Sequence, residues 1–296
     1  MDKPEEAAGH PKRLHLTRVA FAYALALCGA GTLALVLRGD PWLVALAADL
    51  VATLIVYAFS LLYDNSSVYD PYWSVAPIFI VLFWRARGGG GARVNLVFAL
   101  VAAWGIRLTA NWALRWRGLS DEDFRYRELR HRTGRAYWSV SFLAVHLLPT
   151  AWVFFGLWPL YGACSARARG LSPLDLGAAL ITAGAIVIES WADAQLRAFR
   201  RRQKEPGAVL EEGLWAACRH PNYLGEVLFW WGLYLFGIAA RPDHAYTALG
   251  PLAITILFVT VSVPWMDRRM LAGHPGYAER MRTTPALFPW RVRRPR

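Results

Sequence analysis

The stretch VAFAYALALCGAGTLALVL, Val19 to Leu37, runs for 19 residues without a charge. About 18 apolar residues let a helix cross the hydrocarbon of a bilayer, where the backbone must satisfy its own N–H and C=O groups. The run is too long for the apolar core of a cleaved signal, and no clear small-residue cleavage site follows it. Similar runs recur, so the expected fold class is all-α: a polytopic membrane bundle of seven or eight transmembrane helices. The candidate spans cover about 19–37, 42–62, 73–84, 94–112, 139–161, 174–191, 223–240 and 246–263. The third is short for a full crossing, and a tilted or re-entrant course there leaves seven. Glycine, proline and arginine mark the breaks RGDP (38–41), RARGGGGAR (85–93), SARARGLSP (165–173) and RPDH (241–244). One bundle without an internal repeat is expected over 19–263. Residues 1–18 read as a disordered or surface-lying arm, and 264–296 as a polar segment against the cytoplasmic face.

The net charge of +12 would suit nucleic acid if the basic residues formed one domain. Instead they punctuate the apolar runs. Seven arginines lie in the connection from Ala113 to Trp138, and Arg197, Arg200, Arg201, Arg202, Lys204 and Arg219 follow Trp191. Arg268, Arg269, Arg280, Arg282 and four more arginines from Arg291 onward occupy the tail. Eight spans place all three groups, with Lys12, Arg13 and Arg18, on one side, which the positive-inside rule makes the cytoplasm. In a bacterium the membrane concerned is the inner one. Membrane lipids with anionic headgroups are the ordinary partner for such residues, a phosphorylated cofactor the specific one, and no nucleic acid is expected. Oligomeric state has no signature in the sequence.

Metal chemistry finds no support. Cys28, Cys164 and Cys218 have no ligand spacing, and three cysteines make no disulfide framework. Histidines 131, 146, 220, 244 and 274 form no HxxxH or HExxH pair. A Rossmann phosphate loop is missing too, so any nucleotide must be held by the membrane helices and their loops.

Polar residues inside spans are costly and point to function. Asp49 and Arg107 interrupt apolar runs. Glu189 and Asp193 are four apart, which a helix puts on one face that Arg197 continues. The segment YDNSSVYDPYWSV, 63–75, sets Tyr69 and Tyr72 around the turn signal Asp70-Pro71; either phenol is a candidate proton donor oriented by Asp70, or an interfacial aromatic. The loop RGLSDEDFRYRELRHRTGR, 117–135, mixes acids and arginines as a salt-bridged, solvated helix does. GLWAACRHPNYLGEV, 213–227, packs Arg219, His220, Asn222, Tyr223 and Glu226 between apolar runs, as the wall of a polar cleft would.

Three of these stretches, in this order, resemble the steroid 5-alpha-reductase superfamily: DAQLRAF (193–199), GLWAACRHPNYLGE (213–226) and HPGYAERMRTTPALFPW (274–290). The likeness is closest to a bacterial branch named after that enzyme's C-terminal domain. It extends back through YDPYWS, WGIRLTANWALR and DEDFRYRELR to cover most of residues 63–290. The resemblance implies NADPH as cofactor and reduction of a carbon–carbon double bond conjugated to a carbonyl, in a steroid-like or isoprenoid-like substrate arriving from the bilayer. It implies that Asn222, Tyr223 and Glu226 line the cofactor site, with help from Asp193, Arg197, His220 and Tyr277. Arg219 and the Arg200–Arg202 cluster, Arg201 among them, are the candidate phosphate ligands. The family also uses a glutamate and a tyrosine from early spans to polarise the carbonyl. That pair does not align here; Tyr69 or Tyr72 with Asp70 stands in its place as the catalytic expectation.

Two other classes stay open. The motif Arg-His-Pro-x-Tyr is shared by isoprenylcysteine carboxyl methyltransferases, which bind S-adenosylmethionine, and by sterol reductases. The methyltransferases carry a Glu-Glu pair where this chain reads PWMDRRML, with only Asp267. A non-enzymatic lipid-binding protein is the third class.

Overall fold

Two of the long helices start at a cap followed by proline. In RGDPW the Asp40 carboxylate accepts from the Trp42 N–H, with Pro41 in the first turn. In LSPLD, Ser172 and Asp175 form a capping box around Pro173. Each device satisfies N–H groups a helix end leaves without partners, and proline costs nothing where its N–H would be orphaned anyway.

The structure is a computed structural model that describes residues 9–165, 168–203 and 207–289. In chain order the helices are α1 (Gly9–Val36), α2 (Pro41–Leu62), α3 (Tyr72–Gly88), α4 (Ala92–Arg115), α5 (Phe124–Thr133), α6 (Tyr137–Ser141) and α7 (Leu148–Gly156). They continue with α8 (Trp158–Ala163), α9 (Pro173–Arg202), α10 (Leu214–Ala217), α11 (Pro221–Ala240), α12 (Leu249–Leu257), α13 (Val263–Gly273) and α14 (Tyr277–Thr283). A 3-10 turn, Ser66–Tyr69, precedes α3. π turns link α6 to α7 (Phe142–Leu147) and α12 to α13 (Phe258–Ser262). No strand occurs among the described residues.

Among the described residues, seven helical segments are long and apolar enough to cross a membrane: Lys12–Val36, Pro41–Leu62, Ala92–Arg115, Phe124–Ala163, Pro173–Arg202, Pro221–Ala240 and Pro242–Gly273. The protein is an integral, multi-pass helical membrane protein. The expected third span, 73–84, forms the 17-residue helix α3 and is not among the seven. The expected N-terminal arm also differs. Residues 9–18 belong to α1, because no breaker separates KRLHLTR from the apolar run. Lys12 Nζ donates to Leu114 O, and His15 Nδ1 accepts from Leu119 N. Residues 1–8, Lys204 and the arginines from Arg291 onward, which entered the charge reading, lie outside the described residues, as does Trp290 of the last resemblance motif.

The chain divides into two compact units. The first comprises residues up to Gly91, Val101–Phe154 and Cys164–Ala166; the second comprises Ala92–Leu100, Phe155–Ala163 and Arg167 onward. In the second unit α9 and α11 pack against each other in opposite directions. A Cβ on Gly225 would lie 2.5 Å from Glu189 Cγ, and one on Gly232 would lie 2.2 Å from Thr182 Oγ1. Going up α11 means going down α9, and glycine permits the close approach that drives helix association where solvent gives no hydrophobic push. Arg93 of the same unit forks onto Asp175 at 2.6 and 2.8 Å and also reaches the carbonyls of Arg169 and Gly170, so its buried charge is paired.

In the first unit the polar segment 63–71 turns back along α2. From Asp49 to Leu62 is ~13 residues, a rise of roughly 20 Å. Yet Tyr72 reaches Asp49, and Tyr69 meets Thr150, itself bonded to Thr53 of α2. The chain therefore descends beside α2 before α3 begins, which explains why α3 is short.

Candidate functional site

The descending segment needs partners for its own backbone, and side chains supply them. Asn65 caps the Ser67 N–H at 2.7 Å and donates to Leu119 O and Asp121 O at 2.8 and 3.4 Å. Glu122 accepts from the Ser66 N–H at 2.9 Å, and Ser67 Oγ accepts from the Asp123 N–H at 2.8 Å. Tyr23 donates to Val68 O at 3.0 Å. Asp64 sits at φ 50°, a left-handed position that aspartate tolerates in a turn. These bonds explain why so polar a stretch is buried at Asn65 to Tyr69 without an energetic penalty.

Around that segment lies a network of hydroxyls. Ser66 Oγ is 2.7 Å from Tyr137 OH and 2.9 Å from Ser141 Oγ, and Tyr137 donates on to Glu122 at 3.0 Å. Thr150 gives its one hydrogen to His146 O at 2.8 Å, so it accepts from Tyr69 at 2.8 Å and from Thr53 at 2.9 Å. His146, fully buried in the π turn, faces Ser141 O through Nδ1 and Ser60 Oγ through Nε2, both at 3.0 Å. A carbonyl only accepts, so Nδ1 carries a hydrogen, and the one Ser60 hydrogen has two acceptors in reach, His146 Nε2 and Val56 O. Sequence reading passed over His146. Its only signal was a histidine in a span, because the π turn that aims it inward has no motif.

The expected catalytic residues fall in this unit, with different partners from those anticipated. The Tyr72 phenol lies 2.6 Å from Asp49 Oδ1 and 3.0 Å from Asp49 O. Asp70, expected to orient it, instead accepts from Tyr126 OH at 2.6 Å. The reason is direction: Pro71 and the start of α3 send Asp70 and Tyr72 to different sides of the descending chain. Two hydrogen placements satisfy the Tyr72 pair. Either the phenol donates to an ionised Asp49, or a protonated Asp49 donates to the phenol oxygen while the phenol donates to the Asp49 carbonyl. A proton can thus be held at either atom. Burial pushes the Asp70 carboxyl up to about 7; the Arg125 guanidinium opposes this, Asp123 adds to it, and the Tyr126 hydrogen bond opposes it.

In the second unit the expected cofactor residues divide into two groups. Arg219, His220 and Tyr277 converge on Asp267. Arg219 forks onto it through Nη2 at 2.7 Å and Nε at 3.3 Å, His220 Nε2 lies 2.8 Å away, and the Tyr277 hydroxyl donates to the same carboxylate. Arg219 Nη1 donates to Thr284 O at 2.6 Å and Met281 O at 3.4 Å. The backbone N–H groups of Arg219 and His220 pair with Pro285 O and Ala286 O at 2.9 and 3.0 Å. Arg219 therefore has almost no N–H left for a phosphate; it ties the C-terminal segment to the start of α11. Burial alone would lower the Arg219 pKa, but Asp267 outweighs it and raises it. Burial first, then the hydrogen bond to Asp267, holds the Tyr277 phenol well above the usual tyrosine range. A carboxylate surrounded by these donors can only accept, so His220 Nε2 carries a hydrogen. Sequence reading named Asp267 only as a departure from a Glu-Glu pair, since its partners lie far away in sequence.

The other group stays near the α9–α11 contact. Asp193, Glu189 and Glu226 are buried, and Trp230 Nε1 donates to Glu226 at 2.9 Å. The Tyr223 ring stacks on His220, with centroids 5.3 Å apart and planes at 12°. Asn222 is half-buried in the first turn of α11, and no described residue hydrogen-bonds its amide. Arg197 is half-buried and Arg201 exposed on the last turns of α9. Among the described residues no group of three or more His, Cys, Asp or Glu is placed to hold a metal.

A family model described as "Protein of unknown function (DUF1295)" matches residues 56–284, about three-quarters of the chain. The chain belongs to that family. The match takes in the Asp267 cluster and part of the first cluster of this DUF1295 protein, and leaves out α1 and most of α2, with Tyr23, Asp49 and Thr53. No curated protein and no solved structure matches the chain.

Proposed function

We propose that this DUF1295 protein is a membrane-embedded, NADPH-dependent reductase of a carbon–carbon double bond conjugated to a carbonyl in a lipophilic, steroid-like or isoprenoid-like substrate. One observation carries the reading. Tyr72, at the start of α3, is bonded to Asp49 in the middle of α2. This is a tyrosine and an acid from two early helices, close to the early-span pair that the steroid 5-alpha-reductase resemblance calls for, with aspartate in place of glutamate.

The chemistry follows from charge. When hydride adds to the carbon remote from the carbonyl, negative charge builds on the carbonyl oxygen and a proton must then reach the neighbouring carbon. A donor aimed at that oxygen stabilises the transition state more than the ground state. Tyr72 is the hydrogen-bond donor to that oxygen in this reading, and the Tyr72–Asp49 pair supplies the single proton that the neighbouring carbon takes up to balance the hydride. Bound NADPH would supply the hydride. Asn222, with its uncommitted amide, and the exposed Arg201 suit such a cofactor, alongside Tyr223, Glu226, Asp193 and Arg197. Arg219, His220 and Tyr277 act in this reading by fixing the end of α11 through Asp267.

The test uses the full chain in lipid nanodiscs. Calorimetry with NADPH and with S-adenosylmethionine should show binding of the first alone. Tyr72→Phe should lower the turnover of an enone about 100-fold, the usual scale for losing one such donor, with NADPH affinity unchanged. Binding of S-adenosylmethionine alone would transfer the protein to the methyltransferase class, and full turnover in Tyr72→Phe would remove that residue from the mechanism.

A further inference from the structure

A threonine or serine inside a helix commonly donates its hydrogen to the carbonyl four residues back. Thr150, Thr182, Thr255 and Thr260 do so, at 2.7 or 2.8 Å. Thr53, 1% exposed in the middle of α2, does not. The carbonyl that it would use belongs to Asp49, and the Tyr72 phenol sits there instead, at 3.0 Å. The Thr53 hydroxyl is turned across to α7, 2.9 Å from Thr150, and it also borders the Tyr72 phenol. Asp49 and Thr53 are one helical turn apart, so both line the face of α2 that the phenol meets. A valine has nearly the same shape, so packing alone does not call for a hydroxyl here.

Counting hydrogens shows what this arrangement can do. Thr150 gives its own hydrogen to His146 O and receives one from Tyr69 at 2.8 Å. It is therefore satisfied without Thr53, whose hydrogen can leave by rotation about a single bond. While the Tyr72–Asp49 pair is neutral, a protonated Asp49 donates to the phenol oxygen, and nothing draws Thr53 away from Thr150. Once the pair has lost a proton, the phenol donates to the carboxylate and its oxygen has no donor left. The Thr53 hydrogen then belongs on that oxygen. Hydrogen bonds that serve an ion are roughly twice as strong as neutral ones, and each bond in such a chain strengthens the next. Asp49 is 5% exposed, so bulk water does not take that place.

We propose that Thr53 is a positioning residue that swings its hydrogen from Thr150 to Tyr72 when the Tyr72–Asp49 pair is ionised, and so steadies the pair after it has given a proton away. The catalytic use of the swing rests on the reductase reading. There the substrate takes a hydride from NADPH and one proton from the pair, which leaves a saturated carbonyl compound and one negative charge on the pair until a proton from water restores it. The swing itself needs only an ionised pair.

The experiment uses the full chain in nanodiscs and two independent readouts. Alkaline-minus-acid infrared difference spectra, taken without nucleotide or substrate, isolate the Asp49 carboxylate band as the one missing from Asp49→Asn. That band should move in Thr53→Val and return in Thr53→Ser. In turnover of an enone with NADPH, Thr53→Val should lower kcat about tenfold at unchanged KM, the scale of one hydrogen bond to a charged group, and Thr53→Ser should restore it. Thr150→Val removes the same bond between helices but leaves the Thr53 hydrogen to Tyr72, so its kcat should stay about threefold or more above that of Thr53→Val. An Asp49 carboxylate band that never forms in alkali, a band unmoved in Thr53→Val, or equal losses of kcat in the two valine variants would overturn the proposal. Equal losses are what a packing role alone produces. The two readings fail separately. A band that moves in Thr53→Val, in a protein that reduces no enone, keeps the swing and counts against the reductase; reduction at full kcat in Thr53→Val keeps the reductase and removes Thr53.

Discussion

The His146 cluster of the first unit is built of neutral groups strung between helices, whereas the Asp267 cluster of the second gathers its donors on one carboxylate. Around His146 the groups make one to three ordinary hydrogen bonds each, and losing any one bond leaves a modest debt. Around Asp267 a guanidinium, an imidazole and a phenol all depend on the same acid. The difference is physical. Where no water enters, a hydroxyl can be satisfied locally, but an ion must be neutralised by an ion. The hydroxyl network can therefore shift hydrogens from group to group, while the charged hub is suited to holding segments in place.

Removing single members of each cluster should test that contrast. Asp267→Asn should have the largest effect. It strands the buried Arg219 charge and should cost about 3–5 kcal/mol, read by denaturant unfolding in detergent. A loss near 1 kcal/mol would mean that Arg219 finds other partners and that the hub is not the anchor. His146→Leu should cost about 1–3 kcal/mol, since it removes the imidazole partner of Ser60 and of the Ser141 carbonyl. Equal costs for the two variants would erase the distinction between the units.

The third test uses pH. Asp70 keeps its proton in the folded protein up to about 7, chiefly through burial, whereas in the unfolded chain it ionises near the ordinary carboxylate value of about 4. Between those values the folded state binds more protons, so the contribution of Asp70 to stability is full below about 4 and is lost as pH rises through 7. Asp70→Asn should flatten that slope in unfolding measured from pH 4 to pH 8. An unchanged slope would assign the pH response elsewhere.

The smallest effect on stability should come from Arg201→Gln, within about 0.5 kcal/mol, because the side chain is exposed. Its effect on NADPH affinity should be near tenfold if it meets a phosphate. Unchanged affinity would remove Arg201 from the cofactor site.

The apolar runs were enough to place the seven long helices, since the length of an uncharged run is a local property that the bilayer reads directly. The turn signals RGDP and LSP marked two helix starts for the same reason: proline and its capping neighbours act within a few residues. The polar character of Tyr63–Val75, the ladder on α9 and the Arg-His-Pro-Asn-Tyr stretch was also visible as a cost that something must offset. What offsets it was not visible. Asp49 meets Tyr72 because the chain descends beside α2; Asp70 faces Tyr126 because Pro71 turns it away; Asp267 meets partners up to 48 positions away. Hydrogen bonds in a buried site select partners by distance and direction in three dimensions, and sequence order carries little of either. The letters alone thus settled that this chain lives in a membrane and where its polar groups are concentrated, and only the tertiary fold decided which of those groups meet and hold the helices together.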